Sequence, residues 1–123
     1  TLVTGQTITT TGQGDIQFRA VSSAFNNATS TTTTVAIPTG TQAGDLLIAV
    51  WVSSDTVAAS ALTSEPAGWT IFRAQTTNAN MSTAVYYKFY SAGDVSPSWT
   101  VSAARDIHVG IVAYSGVDQA SPI

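Results

Sequence analysis

The chain contains no cysteine. Disulfides, zinc–thiolate centres and thiol nucleophiles are excluded together, so the fold must be held by its core and its backbone hydrogen bonds. Charge is nearly as scarce, with charged side chains at 9% of residues against about 25% in ordinary globular proteins. The basic residues are only Arg19, Arg73, Lys88 and Arg105, they are dispersed, and the net charge is −3. A phosphate-binding surface needs clustered Lys and Arg, so nucleic acid is excluded as a partner. One histidine, His108, leaves a transition metal short of ligands. No apolar run approaches the ~20 residues that span a bilayer as a helix, and no membrane partner is expected. The longest run, Leu46–Val52, has the length of a single buried strand.

Hydroxyls supply the polarity instead. Thr occurs 20 times and Ser 14 times among 123 residues. Thr suits a pleated surface because its Cβ is branched, Ser suits turns and caps, and neither suits a helix interior. The expected class is therefore all-β.

The pattern along the chain agrees with that class. Residues 1–14 form a Thr/Gly/Gln-rich stretch in which Val3 and Ile8 are sparse apolar positions, too few for a core. They are read either as a frayed terminus or as an extended N-terminal arm able to pair with the sheet edge of a neighbouring subunit. In Asp15–Val21 the residues Ile16, Phe18 and Ala20 alternate with Asp15, Gln17 and Arg19, as in a half-buried strand. Further strands are expected at Thr33–Ile37, Leu46–Val52, Trp69–Gln75, Met81–Tyr90, Trp99–Ser102 and Ile107–Tyr114. The uniformly apolar Leu46–Val52 is expected to be central and covered on both faces. Pro38-Thr39-Gly40, Ala43-Gly44-Asp45, Pro66-Ala67-Gly68 and Ala92-Gly93-Asp94 punctuate these segments as turns, and residues 53–65 read as a long loop. About seven short strands with frequent turns, and no segment with helical apolar spacing, give an antiparallel β-sandwich of jelly-roll-like character over residues 15–123.

Four fragments carry a resemblance. They are GDLLIAVWV (Gly44–Val52), PAGWTIFRAQ (Pro66–Gln75), TAVYYKFYSAGDVSPSWTVS (Thr83–Ser102) and GIVAYSGVDQASPI (Gly110–Ile123). In this order they resemble a β-sandwich module found in phage virion proteins and in large bacterial extracellular proteins. The resemblance covers roughly residues 33–123. It implies structural, adhesive or decorating roles and no enzymatic activity. In such modules further strands follow the GVD…PI stretch. The resemblance therefore implies either a sandwich truncated at its C-terminus or one whose missing strands come from elsewhere, with the strand ending at Tyr114 left on an unfinished edge.

The residues themselves give little chemistry. His108 stands mid-strand between Ile107 and Val109, and there is no G-x-S-x-G elbow to present a serine to it. Glu65 is the only glutamate, whereas glycoside hydrolysis needs two facing carboxylates. Asp45, Asp94 and Asp118 stand in turns, where aspartate bonds its own backbone, and no dense Asp spacing suggests a calcium loop. No catalytic residue, cofactor or metal site is assigned. Trp51 and Trp69 are expected in the core. In Val85–Tyr90, the residues Tyr86, Lys88 and Tyr90 share one face, and Lys88 suggests that this is the wetter one. Tyr86 and Tyr90 are thus the candidate ligand contacts, as stacking platforms for a sugar.

The expectation is a non-enzymatic structural protein of a virion or other extracellular assembly, a capsid decoration or tail component held by β-edge and arm contacts. Its partners would be copies of itself and other virion or assembly proteins. The alternative is a carbohydrate-binding or adhesion module on a fibre or cell surface, with a glycan as partner.

Overall fold

The computed structural model describes residues 15–54, 62–78 and 81–123. The segment 1–14, with Val3 and Ile8, lies outside the described residues. The fold is all-β, and the described residues form eight strands and no helix. They are β1 (Gln17–Asn27), β2 (Thr32–Thr34), β3 (Leu46–Ser54), β4 (Leu62–Ser64), β5 (Thr70–Asn78), β6 (Met81–Phe89), β7 (Ser98–Val101) and β8 (Asp106–Ser115). Two antiparallel sheets result, one of five strands in the order β1-β8-β3-β6-β5 and one of three in the order β2-β7-β4. They stack as a β-sandwich.

Alternation decides which side chains enter the core. On β3, Leu47, Ala49 and Trp51 point inward and are buried, and on β8 the inward set is Ile107, Val109, Ile111 and Ala113. Ala84 and Tyr86 of β6 complete the floor of the large sheet, and Val35, Trp99 and Val101 come down from the small sheet to meet them. Each fully buried Val, Ile or Leu stabilises the fold by about 1.5–3 kcal/mol. Trp99 lies at the centre, with ring centroids 5.6 Å from Tyr86 and 6.4 Å from Trp69.

Several expected boundaries move. The first strand runs on to Asn27, because β8 supplies partners as far as Asp106. Asn26 then closes it. Its Nδ2 donates to the Ser30 carbonyl at 2.6 Å and its Oδ1 accepts from the Thr29 amide at 3.1 Å. The expected loop 53–65 contains β4, which extends β7 on the side away from β2. β8 is not an unfinished edge, since β1 pairs with it along its whole length on one side and β3 on the other. β3 is central, as expected, but its outer face is only partly covered: Leu46 is buried there, whereas Val50 is 44% exposed.

A bulge also splits the expected apolar face of the first strand. The register shifts between Phe18 and Ala20, so Phe18 pairs with Tyr114 on the outer face while Ala20 pairs with Ala113 on the inner one. The extra residue, Arg19, turns toward Asp45, whose carboxylate is buried in the turn ahead of β3. Arg19 Nε stands 2.5 Å from Asp45 Oδ2. The contact is one of charge rather than a directed hydrogen bond, and the same Oδ2 accepts the Gln42 amide at 2.8 Å.

Candidate functional site

Three surfaces were singled out by residue type or by geometry: the tyrosines of β6, the cleft at one end of the sandwich, and the outer face of the large sheet. Tyr86 and Lys88 do share a face, but it is the inner face, which corrects the expectation that it is the wetter one. Tyr86 is 1% exposed, and its hydroxyl donates to Oε1 of Glu65 at 2.8 Å. Burial, and next the Glu65 carboxylate, push this phenol well above its ordinary range. The Trp99 indole N–H pulls weakly the other way without reaching hydrogen-bond geometry. Tyr90 follows β6 and is half-buried against the core, its amide bonded to the Asp45 carbonyl at 2.8 Å. Neither ring is an open stacking platform. The signal that misled was Lys88, which sits where the inner face runs out into solvent.

There Lys88 lines a cleft of about 440 Å³ together with Pro66, Trp69, Asp94, Val95 and Pro97. Lys88 Nζ donates to Asp94 Oδ1 at 2.8 Å, and the Ser91 amide donates to Oδ2 at 2.8 Å. These two donors, Lys88 first, hold the Asp94 carboxyl below the ordinary aspartate range. Gly68 has φ +80°, and a Cβ there would stand 3.2 Å from Lys88 Nζ, so the Pro66–Gly68 turn packs closely over the ammonium. The cleft thus offers one indole wall and one polar pair. Its acid is already engaged by its base, and Ser96 and Ser98 add hydroxyls to the lining. Among the described residues no three His, Asp or Glu side chains come together in a way that could hold a metal ion. His108 is remote from Glu65 and Tyr86, because it projects from the opposite face of the large sheet and stacks on Phe25 at 4.1 Å.

That opposite face is the feature that reading the residues missed. Four rows cross it in register. Phe18, Tyr114, Leu46 and Phe89 make the first, and Val21, Val112, Ile48 and Tyr87 the second. Ser23, Gly110, Val50 and Val85 make the third, and Phe25, His108, Val52 and Thr83 the fourth. The fifth strand adds Thr70 and Arg73 at the margin. Phe18, Val21 and Phe25 are each more than half exposed. The outer face of the small sheet is the opposite in kind. It presents Thr32, Thr34, Ser98 and Thr100, whose hydroxyls pair across the strands at 3.0 Å (Thr32–Thr100) and 2.6 Å (Thr34–Ser98). One sandwich therefore carries a hydroxyl-lined outer face that suits water and an apolar outer face that does not. The legible clue was the run Leu46–Val52, whose outer-facing residues need a cover that the chain's second sheet, lying on the inner side, does not supply.

No family model, no curated protein and no solved structure matches this chain.

Proposed function

We propose that the chain is a non-enzymatic structural protein of a virion or other extracellular assembly, a capsid decoration or tail component, held by β-edge and arm contacts. The observation that carries this reading is strand β1. It forms one edge of the five-stranded sheet over 11 residues, and no described strand pairs with its outer side. Monomeric proteins guard such edges with Lys, Pro, bulges or brevity. β1 has no Lys and no Pro, its one charge, Arg19, is drawn to Asp45, and its one bulge lies near its start, so Ala20–Asn27 runs on as a regular edge. An open edge of this length suits a strand from a neighbouring copy, and the Thr-rich segment 1–14 is strand-forming in composition. The order of the four fragments from Gly44 to Ile123, which resembles a module of virion and extracellular proteins, points the same way. Copies of itself and other assembly proteins are the partners in this reading.

The test is deletion of residues 1–14. Light scattering and imaging should show the higher oligomers of the full chain lost in the shortened one, with its β spectrum unchanged. An identical size distribution in both would overturn the edge-and-arm reading.

The cleft favours a second reading, a carbohydrate-binding or adhesion module, because a half-buried indole beside an ion pair matches the two needs of a sugar ring, an apolar face and polar hydroxyl partners. Titration of the chain with a panel of mono- and oligosaccharides, followed by Trp fluorescence, should then show saturation that Trp69→Ala removes. No saturation with any sugar would end that reading.

A further inference from the structure

We infer that the outer face of the five-stranded sheet is the seat of a second copy of this chain, packed sheet to sheet about a two-fold axis. The inference goes beyond edge pairing, since it uses a face and neither edge. The face has an internal contrast in the same molecule: the small sheet's outer surface is made of paired hydroxyls, whereas this one carries Phe18, Val21, Phe25 and Val50 in the open. Soluble monomers seldom expose an apolar patch beyond a few hundred Å².

The relief of the face selects the occupant and its register. In the third row Gly110 leaves a notch, and the neighbouring Val50 stands up from it as a ridge. A two-fold axis running along the strands between β8 and β3 places Val50 of one copy over the partner's Gly110, and the reverse. A two-fold contact is self-complementary in this way by necessity. The same axis lays β1 over β6, so Phe18 faces the partner's Phe89 and Val21 faces the partner's Tyr87. The fifth strand overhangs, and Arg73, which opposes Val85 on that strand, falls at the rim in water. Within the four rows the face carries no Lys, Arg, Asp or Glu, and Asp106 stands one row beyond them on β8, opposite Asn27, so no like charges meet inside the contact.

The area is sufficient. Four strands at about 4.8 Å and four rows at about 6.7 Å give a footprint of roughly 500 Å² on each copy. The total of about 1,000 Å² meets the lower bound for a specific interface, before side-chain relief is added.

Sedimentation of the full chain at about 100 µM, where a micromolar dimer dominates, should give twice the 12.7 kDa of one chain. Val50→Lys and Gly110→Leu should each raise the dissociation constant by at least about tenfold, one by burying a charge and the other by filling the notch. Both positions have room in the monomer, Val50 by its exposure and Gly110 because a Cβ there meets nothing nearer than 3.8 Å. Val95→Lys, at an 81% exposed position off the face, should leave the dimer intact. The absence of native cysteine allows a second readout. A mixture of Val50→Cys and Gly110→Cys chains should form disulfide-linked dimers faster than either variant alone. A wild-type chain that is monomeric at 100 µM overturns the inference, and so does a folded Val50→Lys chain that dimerises as before. Faster cross-linking of Val50→Cys alone overturns the register. Loss of large oligomers on deleting residues 1–14 leaves this dimer in place, so the two readings fail separately.

Discussion

The Tyr86 hydroxyl donates a 2.8 Å hydrogen bond to Oε1 of Glu65, and through it the floor of the large sheet is tied to the chain just beyond β4 of the small one. The ring that makes this bond also packs edge-on against Trp99. One side chain therefore serves both the core and the connection between layers.

Removing that hydroxyl should cost little at neutral pH and alter the alkaline limb. Tyr86→Phe should lower stability by about 0.5–1.5 kcal/mol in urea unfolding at pH 7, because Glu65 is exposed and finds water. Above pH 10.0, the ordinary tyrosine value, the unfolded chain releases the phenolic proton while the folded one keeps it. The contribution of Tyr86 is thus present below that pH and lost as pH rises. The loss should be up to about 1.4 kcal/mol per pH unit in the wild type and absent from Tyr86→Phe.

Trp99→Ala should be the most damaging single core change. The residue is fully buried between Trp69 and Tyr86, and truncations of buried aromatics cost about 3–5 kcal/mol. Chemical unfolding followed by the fluorescence of the two remaining tryptophans measures it. A loss under 1 kcal/mol would contradict the central position of this ring.

Arg19 and Asp45 should be unequal when removed one at a time. Asp45 is buried and also binds the Gln42 amide, whereas Arg19 reaches water. Arg19→Ala leaves a buried carboxylate with one donor, and Asp45→Ala leaves the turn ahead of β3 without its anchor. Asp45→Ala should cost about 2–3 kcal/mol and Arg19→Ala about 1 kcal/mol, with a double-mutant cycle showing coupling.

Lys88 and Asp94 form a partly exposed pair, and Asp94→Asn should cost at most about 1 kcal/mol at pH 7. The sign with pH is set by the lowered carboxyl. Its contribution is present above the ordinary aspartate value of 3.8 and is lost as the pH falls through the lower folded value. The stability gap between wild type and Asp94→Asn should therefore close in acid, as measured by urea unfolding between pH 7 and pH 2.

Gly93 has φ +93° with open space around it, so a substitution there is opposed by backbone geometry alone. Gly93→Ala should lower stability by about 1–2 kcal/mol in thermal unfolding. Gly110→Ala, where φ is not in the left-handed region, should leave the thermal stability of the monomer within about 0.5 kcal/mol.

Much of the fold was legible in residue order. Hydroxyl-rich alternation and glycine turns announce strands, and in the expected strand Ile107–Tyr114 the residues Ile107, Val109, Ile111 and Ala113 all fall on the inner face, because side chains on a strand alternate strictly. Phe18 and Ala20 break that rule through a bulge centred on Arg19, which no local pattern reveals, since the partner of Arg19, Asp45, lies more than twenty positions away. Tyr86 and Lys88 were rightly placed on one face, but the face was assigned to water on the strength of one lysine that stands at its open end.

The alternation of apolar and hydroxyl residues by itself determined that this chain makes strands and turns, because a two-residue period with branched side chains is satisfied locally by no other backbone. Only the tertiary structure decided which face of each strand is inside. Alternation divides a strand into two faces without ranking them, and the ranking comes from where the second sheet lies. Here the three short strands cover one side of the five long ones, burying Tyr86 and leaving Val50 and Phe25 in the open.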